Sequence, residues 1–410
     1  MKRIILILFV FGGIFFLFKE RFLNQNQINV DSIYCFDVVG KNVDDAVKFA
    51  NDMGIKLDFS YKYNLENAKG IIIFQEKVYN VKFGDSIKVV VSLGSVPIDT
   101  YIENKVNEMG KVPIMMYHGI VDISDDDTEY VGGNVDKDGY NRTTESFRND
   151  LEFYYANNYR MIRLEDYVDG FIDVELGKSP IILTFDDGNE NSFKVLGEKD
   201  GELVIDPNCA VGILEEFKLK YPDYGVTATF FINNEKFNQN KYNDKILKWL
   251  VKNGYDIGNH TMNHVDFKQV DKETTQKEVG GLYQVLDEII PLEYVNIIAL
   301  PFGSPYSKDH SNYGAILKGI YNGKDYVTKA ALRVGWEAEL SPFHQNFDPT
   351  YLKRIRAYDN EGYDFDIEMN FKLLESNRYI SDGNINTIVF SGKDDYIVNE
   401  NYENFRVIVY

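Results

Sequence analysis

The chain has 410 residues, 44% of them hydrophobic and 14% aromatic, with 44 Lys and Arg against 64 Asp and Glu, a formal charge of −20. That composition belongs to a folded protein, and the length exceeds what one compact core fills, so two domains plus an anchor is the expectation. The acidic balance excludes nucleic acid as a partner, because a phosphate backbone would be repelled, and two cysteines, Cys35 and Cys209, make neither a disulfide framework nor a paired metal site.

The N-terminus opens with Lys2-Arg3, runs from residue 4 to 18 without a charge, and closes with Lys19-Glu20-Arg21. The apolar run is a little short of the ~20 residues that cross a bilayer comfortably. No small-x-small cleavage pattern follows it. Residues 1–21 are therefore expected to be an uncleaved signal anchor, a single transmembrane helix, with the rest of the chain outside the cell.

A polar linker leads to a small unit at residues 31–96, where a helical pattern through Val47, Phe49 and Ala50 precedes strand-like runs at 70–75 and 87–92. Its V-x-G start at Val38, G-x-I-x-x-Q middle ending at Gln75 and S-x-G end at Gly94 resemble a PASTA domain. That resemblance implies a module that lies along cell-wall material, or a stalk that holds the next domain away from the membrane.

Residues 99–110 read as a bridge between domains. A buried strand at 112–116 then ends in Tyr117-His118, and an acidic stretch, 122–130, reads as a solvated surface loop. Thr144 opens a helix with Phe147, Leu151 and Tyr154 on one face, capped at Thr143 or Thr144. Ile181-Ile182-Leu183 is a short buried strand running into Thr184-Phe185-Asp186-Asp187-Gly188. After a polar insert at 196–207, helices are expected at 212–221, 245–253 and 278–290, and strands at 227–232, 255–258 and 296–300. Strands alternating with helices predict a parallel sheet, closed or partly closed into a barrel. Active groups then belong at the C-terminal ends of the strands.

Two adjacent carboxylates, Asp186 and Asp187, repel each other at a strand end unless something positive offsets them. His260 and His264, four residues apart, supply that charge if they hold a metal. One Asp and two His make three protein ligands and leave a position open, as catalytic zinc requires. The second carboxylate then binds the metal and the first takes a proton from water. The HExxH glutamate of a zinc protease is absent.

Thr184-Phe185-Asp186-Asp187-Gly188, His260-Thr261-Met262-Asn263-His264 and Leu300-Pro301-Phe302-Gly303 resemble the first three motifs of the polysaccharide deacetylase family, over about residues 112–410. The resemblance implies a metal-dependent hydrolase that removes acetyl groups from wall or extracellular sugars on a distorted (β/α) barrel. It implies Asp187, His260 and His264 as metal ligands, zinc before cobalt or nickel, and Asp186 as general base. It gives Phe302 the slot whose backbone N–H faces the oxyanion.

Two departures stand out. The arginine that opens the third motif is Ala299 here, with Arg333, Arg354 and Arg356 as possible substitutes. A later D-x-x-D-W motif is reduced to Val334-Gly335-Trp336, with Trp336 expected at the groove. No C-terminal strand carries an L-x-H histidine. The circularly permuted branch of the family supplies its acid from a Tyr-His pair ahead of the Asp-Asp motif, which points to His118. His344 is the second candidate, and His310 has no supporting context. The implied function is N-deacetylation of an N-acetylglucosamine-containing glycan, peptidoglycan before poly-N-acetylglucosamine. The competing expectation is a wall-binding protein that keeps the fold without the chemistry.

Overall fold

The structure, a computed structural model, describes residues 33–363, 365–393 and 395–410. The expected anchor at residues 1–21 lies outside them, and among the described residues no helix is long and apolar enough to cross a membrane. The chain divides into two units, Met1–Thr100 and Tyr101–Tyr410.

In the first unit, helix α1 (Val43–Asp52) starts at Asn42, whose side chain accepts the Asp45 N–H. Strands β1 (Lys56–Lys62), β2 (Ile72–Gln75) and β3 (Ser86–Ser92) form one sheet with β3 in the centre, parallel to β1 and antiparallel to β2. Ile87, Val89 and Val91 alternate inward to meet Phe36, Val38, Ala46 and Ala50. Gln75 is buried because its amide closes the entry strand: it accepts the Val38 N–H at 2.9 Å and donates to the Phe36 carbonyl at 2.6 Å.

The second unit is built on an all-parallel sheet curled into a half-barrel. Its strands are β4 (Ile114–Tyr117), β5 (Tyr159–Met161), β6 (Ser179–Phe185), β7 (Thr229–Ile232), β8 (Asp256–Asn259), β9 (Ile297–Ala299), β10 (Ala330–Leu332) and β11 (Ile355–Arg356). The order is β10-β9-β8-β7-β6-β4-β11, with β5 paired to the start of β6. Met115, Tyr117, Ile181, Leu183 and Phe185 pack outward against the helices α2 (Thr144–Ala156), α3 (Ala210–Lys220) and α4 (Asn243–Lys252). The alternate residues Ile114, Ile182, Phe231, Ile297, Ala299 and Leu332 fill the other face. By the same alternation Met116 and His118, and Thr184 and Asp186, project from that inner face at the C-terminal ends.

Residues 350–356 join the two free edges. Leu352 accepts the Arg333 N–H at 2.9 Å and donates to the Ala331 carbonyl at 2.8 Å. Three residues later Ile355 pairs with Met115 of β4.

Two segments differ from expectation. The polar insert is a β-hairpin, Val195–Lys199 with Glu202–Ile205. Its turn residues Asp200 and Gly201 have φ of 53° and 87°, the left-handed pair that joins two strands with matching twist. The acidic stretch after β4 folds onto the start of α2. Ser146 Oγ donates to Asp125 at 3.0 Å, and the Asp125 N–H donates to Glu145 at 2.9 Å. Thr143 caps α2 by accepting the Ser146 N–H at 3.0 Å.

Leu352 is wholly buried at the closing segment. Leu352→Ala is expected to cost about 2–5 kcal/mol, the usual range for a core leucine truncated without collapse. Urea unfolding measures this, and a loss under about 1 kcal/mol would mean the closing segment is not packed as described.

Candidate active site

Strand β6 is buried along its whole length and ends where the Asp186 N–H donates to the Tyr117 carbonyl at 2.9 Å. The chain then turns sharply, with Asp187 at φ 73° and Gly188 at φ 64°. The turn sends the two carboxylates to different surroundings. Asp186 points into the inner face, where both of its oxygens accept from the wholly buried Arg354 at 2.7 Å. Arg354 is itself fixed, donating to Thr184 Oγ1 at 3.2 Å and to the Arg333 carbonyl at 3.2 Å. Burial alone would push the Asp186 carboxyl up. Arg354 and the neighbouring imidazoles outweigh it and hold the group below the ordinary carboxylate range.

Asp187 faces the histidines. Its Oδ1 lies 3.2 Å from His260 Nε2 and 3.4 Å from His264 Nε2. Burial pushes its carboxyl up too, but the His260 contact and the other imidazoles bring it well below its usual range. His260 is pushed down by burial and then raised above its ordinary value by Asp186 and Asp187. Burial and the neighbouring His260 leave His264 lowered.

The two histidines arrive on an irregular loop after β8, not on a helix. Thr261 and His264 have φ of 67° and 53°. Asn259, wholly buried, sets the turn by accepting the Thr261 N–H at 2.8 Å and donating to the Val279 carbonyl at 3.0 Å. Helix α5 (Lys272–Ile289) anchors the far side: Glu278 accepts the backbone N–H and the side-chain amide of Asn263, each at 2.8 Å. His260 Nδ1 lies 2.9 Å from the Ala299 carbonyl. A carbonyl only accepts, so Nδ1 carries a proton, and Nε2, the nitrogen that faces Asp187, is the one that can serve as a ligand once its own proton is off.

Asp187, His260 and His264 therefore form a cluster able to hold a metal ion. A tetrahedral zinc with ligands at about 2.0–2.1 Å separates them by about 3.3–3.4 Å along each edge. The two separations from Asp187 fit that spacing. The Ala299 carbonyl supplies the partner that metal-bound imidazoles usually have on their other nitrogen.

The inner face also brings His118 within electrostatic reach of Asp186, Asp187 and His260. Burial depresses its imidazole, and the two carboxylates oppose that shift without cancelling it. Its Nδ1 is sealed from solvent with no hydrogen-bond partner. Its ring packs edge-on against Tyr140, centroids 4.9 Å apart, a neighbour that no sequence pattern points to. Phe302 sits in a single turn (Pro301–Gly303) at φ 58°, half exposed, its ring 4.6 Å from that of His264.

The remaining candidates have other partners. His344 and His310 each accept a backbone N–H two residues on, from Asn346 and Asn312. Arg333 lies over Tyr351. Trp336 is half exposed, 5.1 Å from the Phe365 ring, and bridges Ile355 of β11.

Residues 173–317 match the family model described as polysaccharide deacetylase, and residues 36–93 match that of the PASTA domain. The chain carries a polysaccharide deacetylase domain. The match supports an enzyme of that kind. Among solved structures, a Streptococcus pyogenes deacetylase, PplD, shares 19% identity at a TM-score of 0.45, over 62% of this chain and 94% of its own. A de-N-acetylase from Aggregatibacter actinomycetemcomitans shares 11% at 0.40, over 64% and 99%. The BpsB deacetylase domain from Bordetella bronchiseptica shares 8% at 0.38, over 61% and 97%. The deacetylase match spans Asp186, Asp187, His260, His264 and Phe302 but not His118, Arg354 or Trp336.

Removing Arg354 leaves a buried carboxylate with no counter-charge. Arg354→Ala is expected to destabilise the deacetylase domain by about 3–5 kcal/mol, with Arg354→Ala/Asp186→Asn recovering part of the loss. Denaturant midpoints of the single and double variants measure it, and strictly additive losses would show that the two side chains are not paired.

Proposed function

We propose that the chain is a metal-dependent N-deacetylase acting on an N-acetylglucosamine-containing cell-wall glycan, peptidoglycan in preference to poly-N-acetylglucosamine. The observation that carries the reading is the division of two adjacent carboxylates: one saturated by Arg354, the other aimed with two imidazoles at a single point. The PASTA unit supports a wall glycan as the substrate. Residues 1–21 would hold the enzyme at the outer face of the membrane.

Asp187, His260 and His264 would hold a divalent cation, most suitably zinc. When bound, the cation supplies Lewis acidity, polarising the acetyl carbonyl and lowering the pKa of water towards ~7.

The chain's own residues do the rest. Asp186, ionised at neutral pH because Arg354 faces it, accepts the proton of the attacking water. Each of its oxygens keeps a lone pair after bonding the guanidinium, so the pairing does not silence it. The Phe302 N–H would meet the developing oxyanion. His118 gives a proton to the departing sugar nitrogen, which avoids expelling an amine anion. Burial lowers the pKa of the ring and so makes its imidazolium a stronger acid once the ring has taken up a proton.

Acetate release from an N-acetylglucosamine oligomer is expected to vanish on chelation and return with zinc. Asp186→Asn is expected to lower kcat by at least about 100-fold, and His118→Asn by roughly 100- to 10,000-fold, the span of a general acid or base. Zinc binding, followed by calorimetry, should be one ion per chain and should be lost in His260→Ala. Acetate release that ignores the chelator would refute the metal assignment. Full activity in His118→Asn would remove that residue as the acid.

A further inference from the structure

Arg356 is left without a task by the chemistry above. It lies two residues after Arg354 and so on the same inner face of the strand edge. Its Cα partner is Met116, which in turn pairs with Thr184. Arg356 thus starts one step below Asp186 and His118 on that face, and its side chain extends from there. The guanidinium lies over two rings, Tyr140 at 5.2 Å and Tyr358 at 4.5 Å. Tyr140 is the ring against which His118 packs. The cation stands one aromatic ring away from the proposed acid.

Among the described residues Arg356 has no ion pair and no side-chain hydrogen bond. Of the two acids on the segment leading to Tyr140, Asp136 and Asp138, neither pairs with Arg356, and the first is already spent. Asp136 accepts from the N–H groups of Asp138, Tyr140 and Asn141 and from the Asn141 amide. The two rings hold the guanidinium in place by cation–π attraction, but rings do not satisfy five N–H donors. Arg354, one step away along the strand edge, spends its fork on Asp186. Among the described residues nothing takes up the Arg356 fork, which lies half-buried in a chain of formal charge −20.

We propose that Arg356 binds an oxyanion substituent, a carboxylate or a phosphate, on the sugar chain that occupies the mouth, and so selects acidic over neutral glycan. This rests on the glycan-deacetylase reading. A planar guanidinium held by aromatic rings matches the two oxygens of such a group in a forked, charge-assisted pair. The surrounding negative charge would otherwise repel an acidic polymer, so a fixed cation is needed where the anion docks.

The test uses the zinc-loaded protein and three N-acetylglucosamine-containing oligomers of equal length. One is neutral, one bears lactyl carboxylates on alternate sugars, and one bears phosphates. Acetate release gives kcat/KM for each, and calorimetry gives Kd. Wild type is expected to prefer one of the acidic oligomers. Arg356→Met should cut that preference by about tenfold to a hundredfold, the range for a hydrogen bond to a charged group, and the change should appear in KM. Arg356→Lys should keep part of it, since the charge stays and the fork is lost.

Equal losses on all three oligomers would make Arg356 a brace for Tyr140 and overturn the proposal, as would an unchanged preference in Arg356→Met. The carboxylate and phosphate arms separate the two anion sources. If no oligomer releases acetate, the deacetylase reading fails, and calorimetry still decides Arg356: an Arg356-dependent preference upholds its role, and none refutes it.

Discussion

Two carboxylates side by side at the end of a buried strand are the constraint around which the deacetylase domain is arranged. Left alone, Asp186 and Asp187 would share a proton, and one of them would be lost to the chemistry. The fold avoids this by turning the backbone between them, so that each meets its own partners. Arg354 grips Asp186 through both oxygens, and Asp187 lies against His260 and His264. Both carboxyls are thereby held below their ordinary range despite burial. The guanidinium remains charged at any working pH, so Asp186 stays ionised whether or not the histidines carry a cation.

The segment that supplies this arginine also closes the sheet. Leu352 bonds to the edge at β10, and Ile355 pairs with β4 at the other edge. Arg354 lies between these two attachments, which explains how a long side chain comes to be held without solvent contact. Structural closure and charge compensation therefore rest on the same few residues. A change that loosens either attachment moves the counter-charge of Asp186 as well.

Much of the site was legible in the sequence because its chemistry is local. Thr184 to Gly188 reads directly as a strand delivering carboxylates, and the pair of histidines follows in a short polar run. The counter-charge was not legible to the same degree. Arg354 bonds a residue 168 positions earlier, and no local pattern separates it from Arg333 or Arg356. Only strand order and register do so. The four-residue spacing of His260 and His264 suits a helix face, but the segment is a loop, because Asn259 and Glu278 satisfy its backbone in place of helical bonds. The parallel half-barrel followed from the alternation of strands and helices. The hairpin at 195–205 did not, although Asp200-Gly201 is a turn pair with a known preference. Tyr140 was invisible for another reason: a lone tyrosine in a glycine-bearing loop shows nothing of what it will touch.

Backbone conformation adds a further link between fold and site. Asp187, Thr261, His264 and Phe302 all adopt positive φ without being glycine. Such residues cost of order 1–3 kcal/mol each and persist only where the surroundings over-determine them. Here the surroundings are identifiable: Asn259 holds Thr261, and Glu278 holds Asn263 beside His264. The Phe302 ring packs on His264. Three strand ends must each aim a group at one small volume, and regular strand geometry points successive side chains to opposite faces. A left-handed residue breaks that alternation at the position where it is needed. The strain is thus the cost of convergence, and the buried polar side chains around the loops are what offset it.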